Sequence, residues 1–147
     1  MSFLNLQASY FTIEDPRRVL ERWFNRFRYC RTVRINQREV EVKWTARAER
    51  EMRHLEQGLV VELQLYFSCV IKKRALFHAA GGIDATRVND RLGVTFRSIA
   101  SAVCDPREFA SSYPQGKNLS SGKAARMVPR TVEIDFRQED WEAQFYY

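Results

Sequence analysis

The chain has 147 residues, 45% hydrophobic and 29% charged, with 24 Lys and Arg against 18 Asp and Glu. That length suits one domain, residues 1–147, able to bury about two-thirds of its unfolded surface, and the balance excludes a disordered chain. A helical membrane protein is excluded too, because no apolar run approaches the roughly 20 residues a spanning helix needs.

The start, Met1-Ser-Phe-Leu-Asn-Leu-Gln7, lacks a basic segment followed by an apolar one, so a cytoplasmic protein is expected. Residues 2–13 alternate loosely, with Leu4, Leu6, Ala8 and Tyr10 against polar neighbours, and predict a first strand. Asp15 then caps and Pro16 opens a helix expected to run to Tyr29. Val19, Leu20, Trp23, Phe24 and Phe27 cover an arc of about 140° on its wheel, leaving Arg18, Arg22 and Arg26 on the other side.

Period 2 follows. Val33 and Ile35, then Val40, Val42 and Trp44, predict a hairpin turning at Asn36-Gln37-Arg38. Thr45 to Gln57 carries Ala48, Met52 and Leu55 at helical spacing with Gly58 to end it; the reading is a short second helix, and an extended β-ribbon competes with it. From Gly58 to Arg74, Val61, Leu63, Leu65, Phe67, Cys69 and Ile71 alternate with a mixed set that includes Glu62, Gln64, Tyr66 and Lys72. One long half-buried strand is expected there, running on toward His78 before Gly81-Gly82 breaks it.

Residues 79–91 read as a loop and Leu92 to Cys104 as a second long strand. Residues 106–129 hold Pro114, Gly116, Gly122 and Pro129 with Lys117, Lys123 and Arg126, a long basic loop. Val132, Ile134 and Phe136 mark a strand that turns at Gln138 to Asp140 into a final one carrying Trp141, Ala143, Phe145 and Tyr147. The fold class expected is α+β: a predominantly antiparallel sheet of five to seven strands, one main amphipathic helix on one face, and a short second helix.

The positive charge is local. Arg17, Arg18, Arg22, Arg26, Arg28, Arg31, Arg34 and Arg38 face a single acid, Glu21, which is eight against one, or +7, while the whole chain is +6. Guanidinium groups one helical turn apart can track phosphates or carboxylates through their planar fork of donors. The leading expectation is therefore a binding module that engages an acidic protein surface or polyanion through Arg18, Arg22, Arg26, Arg28, Arg31 and Arg34. The competing reading is a solvated face, or one paired by Glu133, Asp135, Glu139, Asp140 and Glu142 near the end of the chain. Tyr10, Tyr29 and Tyr66 can stack bases if exposed.

An alternative of another class is a small-molecule-binding protein or enzyme. Its pocket would lie between the central strand and the 106–129 loop, with His78, Lys123 and Arg126 receiving an anionic ligand. No catalytic residue is assigned, because Ser68-Cys69 lacks the glycines of a nucleophile elbow. The Gly116 to Ala124 stretch has five residues between its glycines and an alanine after Lys123, which departs from a P-loop. His54, His78, Cys30, Cys69 and Cys104 form no pair at metal-ligand spacing, so no metal or cofactor is expected, and the odd cysteine count fits reduced thiols. The C-terminal aromatics Trp141, Phe145, Tyr146 and Tyr147 are read as a strand docked on the sheet or as a patch joining two copies.

Overall fold

The computed structural model describes residues 16–17, 27–67, 71–101, 116–119 and 123–147. Nearly all of the predicted first strand and helix, with Val19, Leu20, Trp23 and Phe24 of its apolar face and Arg18, Arg22 and Arg26 of its arginine face, lies outside these residues, as do Cys69 and Cys104. Pro16 and Arg17 are helical, but Phe27 and Arg28 are not and Tyr29 opens a strand, so the helix stops short of its predicted end.

Among the described residues, nine strands and one α-helix follow. They are β1 (Tyr29–Ile35), β2 (Arg38–Trp44), α1 (Ala46–His54), β3 (Leu59–Phe67), β4 (Ile71–Ala79), β5 (Thr86–Arg87), β6 (Leu92–Ser101), β7 (Gly116–Asn118), β8 (Thr131–Arg137) and β9 (Asp140–Tyr146), with a 3-10 turn at Ala124–Arg126. They form two sheets, β1-β2-β8-β9 and β4-β3-β6-β5, with β7 added to the far end of β6. The α+β expectation holds at that level, but the single sheet does not: there are two, and although five of the seven pairings among the described residues are antiparallel, the central pairing of each sheet is parallel. β2 pairs β8 in parallel and β3 pairs β6 in parallel. A two-residue period says which way each side chain points and nothing about which strand lies alongside, so these long-range pairings leave no local trace.

The central strand is also two strands. β3 and β4 are antiparallel, with Leu59 opposite Ala79 and Phe67 opposite Ile71, so the chain reverses between them. Paired positions here always sum to an even number, so odd residues stay inward on both strands. The alternation therefore crosses the reversal unbroken, and Ser68-Cys69-Val70 carries no glycine, proline or asparagine to mark a turn.

The core lies between the sheets: Val61, Leu63, Leu65, Phe77, Val94 and Phe96 from one meet Val40, Val42, Trp44, Val132, Ile134 and Phe145 from the other. α1 closes one end with Ala48 and Met52, both buried. Thr45 caps it by accepting from the Ala48 N–H at 3.2 Å, and the Thr45 hydroxyl donates to Asp135 Oδ1 at 2.6 Å. Gly58 does not cap that helix, which ends at His54; it stands immediately before β3 with φ +81°, where a Cβ would sit 2.6 Å from the Arg91 carbonyl oxygen.

On the outer face of the β3 sheet, the expected mixed surface is instead closed. Glu62 and Gln64 are 2% and 6% exposed, and Tyr66 is buried with Ile99. Arg97 Nε lies 3.0 Å from Glu62 Oε1, Gln64 Nε2 donates to Oε2 at 2.8 Å, and His78 Nε2 is 3.4 Å from the same oxygen. The Arg97 N–H does not aim at Oε1, so that contact is an ion pair and not a hydrogen bond.

Candidate functional site

β1 is an outer strand of its sheet, and its period of 2 splits its side chains. Tyr29, Arg31, Val33 and Ile35 share the inward face with Trp44, Val42 and Val40 opposite, whereas Cys30, Thr32 and Arg34 point outward beside Lys43, Glu41 and Glu39. Trp44 is buried and donates from Nε1 to Glu49 Oε2 of α1 at 2.6 Å, which fixes its ring. Tyr29 stacks on it with centroids 5.7 Å apart and planes 10° from parallel, while 37% of the tyrosine stays in solvent.

This pair stands in a cleft of about 390 Å³ between β1, α1 and the turn at 88–91, where Arg31, Arg53 and Arg91 also line the wall. The turn is stiff, because Asn89 Oδ1 accepts from the backbone N–H groups of Arg91 and Leu92 at 2.7 and 2.8 Å. Arg91 Nη1 donates to the carbonyl oxygens of Met52, Arg53 and Leu55, the nearest at 2.9 Å, and Arg31 Nη1 donates to Val88 O at 3.2 Å. Carbonyl oxygens orient a guanidinium without cancelling its charge. Of the acids lining the cleft, Asp90 is 2.6 Å from Arg87 and Glu49 is held by Trp44 and, at 3.7 Å, by Arg53. Among the described residues, then, no carboxylate compensates Arg31 or Arg91 beside this exposed aromatic ring.

Cys30 is a free thiol on the outer side of β1. Burial first, and then the Glu41 carboxylate, push it above its ordinary pKa, so near neutral pH it is a thiol and not a nucleophilic thiolate. Glu41 itself pairs with Lys43 at 2.8 Å, and the Lys43 ammonium holds its carboxyl below the usual range.

Of the arginines expected to act together, Arg18, Arg22 and Arg26 lie outside the described residues. Arg28, Arg31 and Arg34 are exposed, and among the described residues none has a carboxylate partner. Arg31 and Arg34 point to opposite faces of β1, so they do not form one row. Two acids of the C-terminal segment that were candidates to neutralise them are engaged elsewhere: Asp135 with Arg47 at 2.6 Å and Glu142 with Arg137 at 3.2 Å. Arg53 and Arg91 escape a reading of the sequence, because they reach the cleft from a helix and a turn far from the arginine cluster and nothing local links them to it.

The structure does not bring His78, Lys123 and Arg126 together. His78 sits opposite Val60 near one end of the β3–β4 pair. Lys123 precedes and Arg126 ends the 3-10 turn, whose Ala124 carbonyl accepts from Ser98 Oγ at 2.6 Å near the other end of β6, on the core side. The C-terminal aromatics are docked within the chain. Trp141 packs 4.9 Å from Phe136 and 6.2 Å from Phe77, and the Lys73 ammonium lies 5.4 and 5.1 Å from the Phe145 and Tyr147 rings. Among the described residues no group of three or more His, Cys, Asp or Glu is placed to hold a metal ion, and no helix is long and apolar enough to cross a membrane.

No family model, no curated protein and no solved structure matches this chain.

Proposed function

We propose that this protein is a non-enzymatic binding module for a polyanion, and that the polyanion is single-stranded nucleic acid. Arg31, Arg53 and Arg91 take phosphates in the cleft, Arg28 before β1 and Arg34 on its outer face add cationic charge around this edge, and the Tyr29 ring stacks a base. The observation that supports this most is the exposed Tyr29 ring, fixed parallel to Trp44, beside guanidinium charges that carboxylates do not cancel. An acidic protein surface would satisfy the arginines but would leave that flat ring without a planar partner. Stacking on an aromatic ring is worth about 1–3 kcal/mol per base and tolerates any sequence.

The test is fluorescence anisotropy with a labelled oligothymidylate. Tyr29→Phe should bind as wild type does, because it keeps the ring, and Tyr29→Ala should bind roughly tenfold or more weakly. Equal binding by all three proteins removes the stacking role; no binding by wild type removes the proposal.

A further inference from the structure

We propose a second site, independent of the first: a groove that binds a small organic cation with an apolar body, of the arylalkylammonium class. The groove, of about 430 Å³, lies between the end of α1, the Gly58 connection, the ends of β3 and β4, and the turn between β8 and β9; among the described residues it shares no lining residue with the arginine cleft. That volume falls in the range of small-ligand sites.

Its apolar wall is aromatic. Phe77, Phe136 and Trp141 line it, and both phenylalanines pack against the Trp141 ring, at interplanar angles of 27° and 56°. A fixed indole face attracts a cation within about 6 Å of its centre, Trp more strongly than Tyr or Phe.

Its polar part is acidic. Glu51, Glu56 and Glu139 line the groove, and among the described residues no Lys or Arg does, in a chain with 24 Lys and Arg against 18 Asp and Glu. Among the described residues none of these three carboxylates has an ion-pair partner, whereas Glu41, Glu62, Asp90, Asp135 and Glu142 each have one. His54, Gln57 and His78 are the other polar side chains of the lining among the described residues. An apolar aromatic wall under three uncompensated negative charges is complementary to an ammonium on a hydrophobic body. It repels an anion, and it gives a neutral isostere no compensation for displacing the carboxylates' water.

Phenethylammonium is the probe, with phenethyl alcohol and phenylacetate as its neutral and anionic counterparts, each titrated into the full chain by calorimetry and by NMR of the indole N–H signals. Loss of one signal in Trp141→Phe assigns the Trp141 resonance. The expected result is saturable binding of the ammonium that moves the Trp141 signal, at least tenfold weaker binding of the alcohol, and none of phenylacetate. Glu56→Gln with Glu139→Gln, both surface changes, should cut the ammonium's affinity tenfold or more while leaving the thermal midpoint unchanged. Three results overturn the proposal: equal binding of alcohol and ammonium, no ammonium binding at millimolar concentration, or occupation of the groove by a peptide of residues 17–28 but not by the amine. The last would assign the groove to the arginine segment of a second copy.

Discussion

Glu62 shows how far one side chain can depart from its sequence pattern. It belongs to the alternate set of a strand whose other set is apolar, yet its carboxylate is 3% exposed, while Arg97 beside it is 44% exposed. A buried carboxylate deprived of its cation bears most of its desolvation cost alone. Arg97→Met should therefore destabilise the protein by about 2–3 kcal/mol, less than a fully buried pair because Arg97 is half in water. Adding Glu62→Met should recover most of that loss, since two packed apolar residues need no compensation. Urea unfolding of the two single variants and the double variant measures the coupling; additive losses would mean that the pair does not interact. Tyr147 supplies a test by pH. The residue is 51% exposed, but burial of the rest pushes its phenol up to about 12, and its hydroxyl donates to Met127 O at 2.9 Å. The folded chain thus keeps this proton beyond the pH near 10 at which an unfolded tyrosine loses it. Its contribution is intact below about pH 10 and is lost as pH rises toward 12. Tyr147→Phe should flatten the fall in urea midpoint across that window, and an unchanged slope would place the hydroxyl in ordinary solvent.

Among the elements, the two short hairpin turns depend on backbone conformations that side chains resist. Asn36 and Gln37 have φ of 48° and 67°, and Gln138 and Glu139 have 52° and 65°, the left-handed pair that a two-residue turn between twisted strands requires. Asn tolerates this region, but Gln gives up about 1 kcal/mol there. Gln37→Gly creates the favoured Asn-Gly pair and should raise stability by about 0.5–1 kcal/mol, read as a higher urea midpoint with an unchanged slope. A lower midpoint would show that the turn is built differently. Both turns were legible because each interrupts two well-patterned strands, and α1 was legible because Ala48 and Met52 repeat at helical spacing within a run of good helix formers. The β3–β4 reversal was not, since its register preserves odd and even positions across Ser68-Cys69-Val70. The arginine cleft was half legible: Arg31 and Tyr29 stand in the cationic segment, but Arg53 and Arg91 arrive through tertiary packing that no local spacing records.

At the scale of the whole molecule, the sandwich brings outer strands of its two sheets near each other, β1 by β5 and β4 by β9. Thr86 Oγ1 donates to Arg34 O at 3.5 Å on the first side, and Lys73 Nζ donates to Phe145 O at 3.2 Å on the second. α1 lies between two recesses of opposite sign: Arg31, Arg53 and Arg91 line one, and Glu51, Glu56 and Glu139 line the other. A chain of net +6 that segregates its charges this way can attract a polyanion to one side without closing the other. The measurement that bears most directly on the account is the salt dependence of oligothymidylate binding by wild type and by Arg31→Glu with Arg34→Glu. With three or four arginines on phosphates, log affinity should fall linearly with log salt at a slope of about −2 to −3, and the double variant should bind at least tenfold more weakly with an unchanged circular dichroism spectrum. Binding that ignores salt, or that survives both charge reversals, would contradict it.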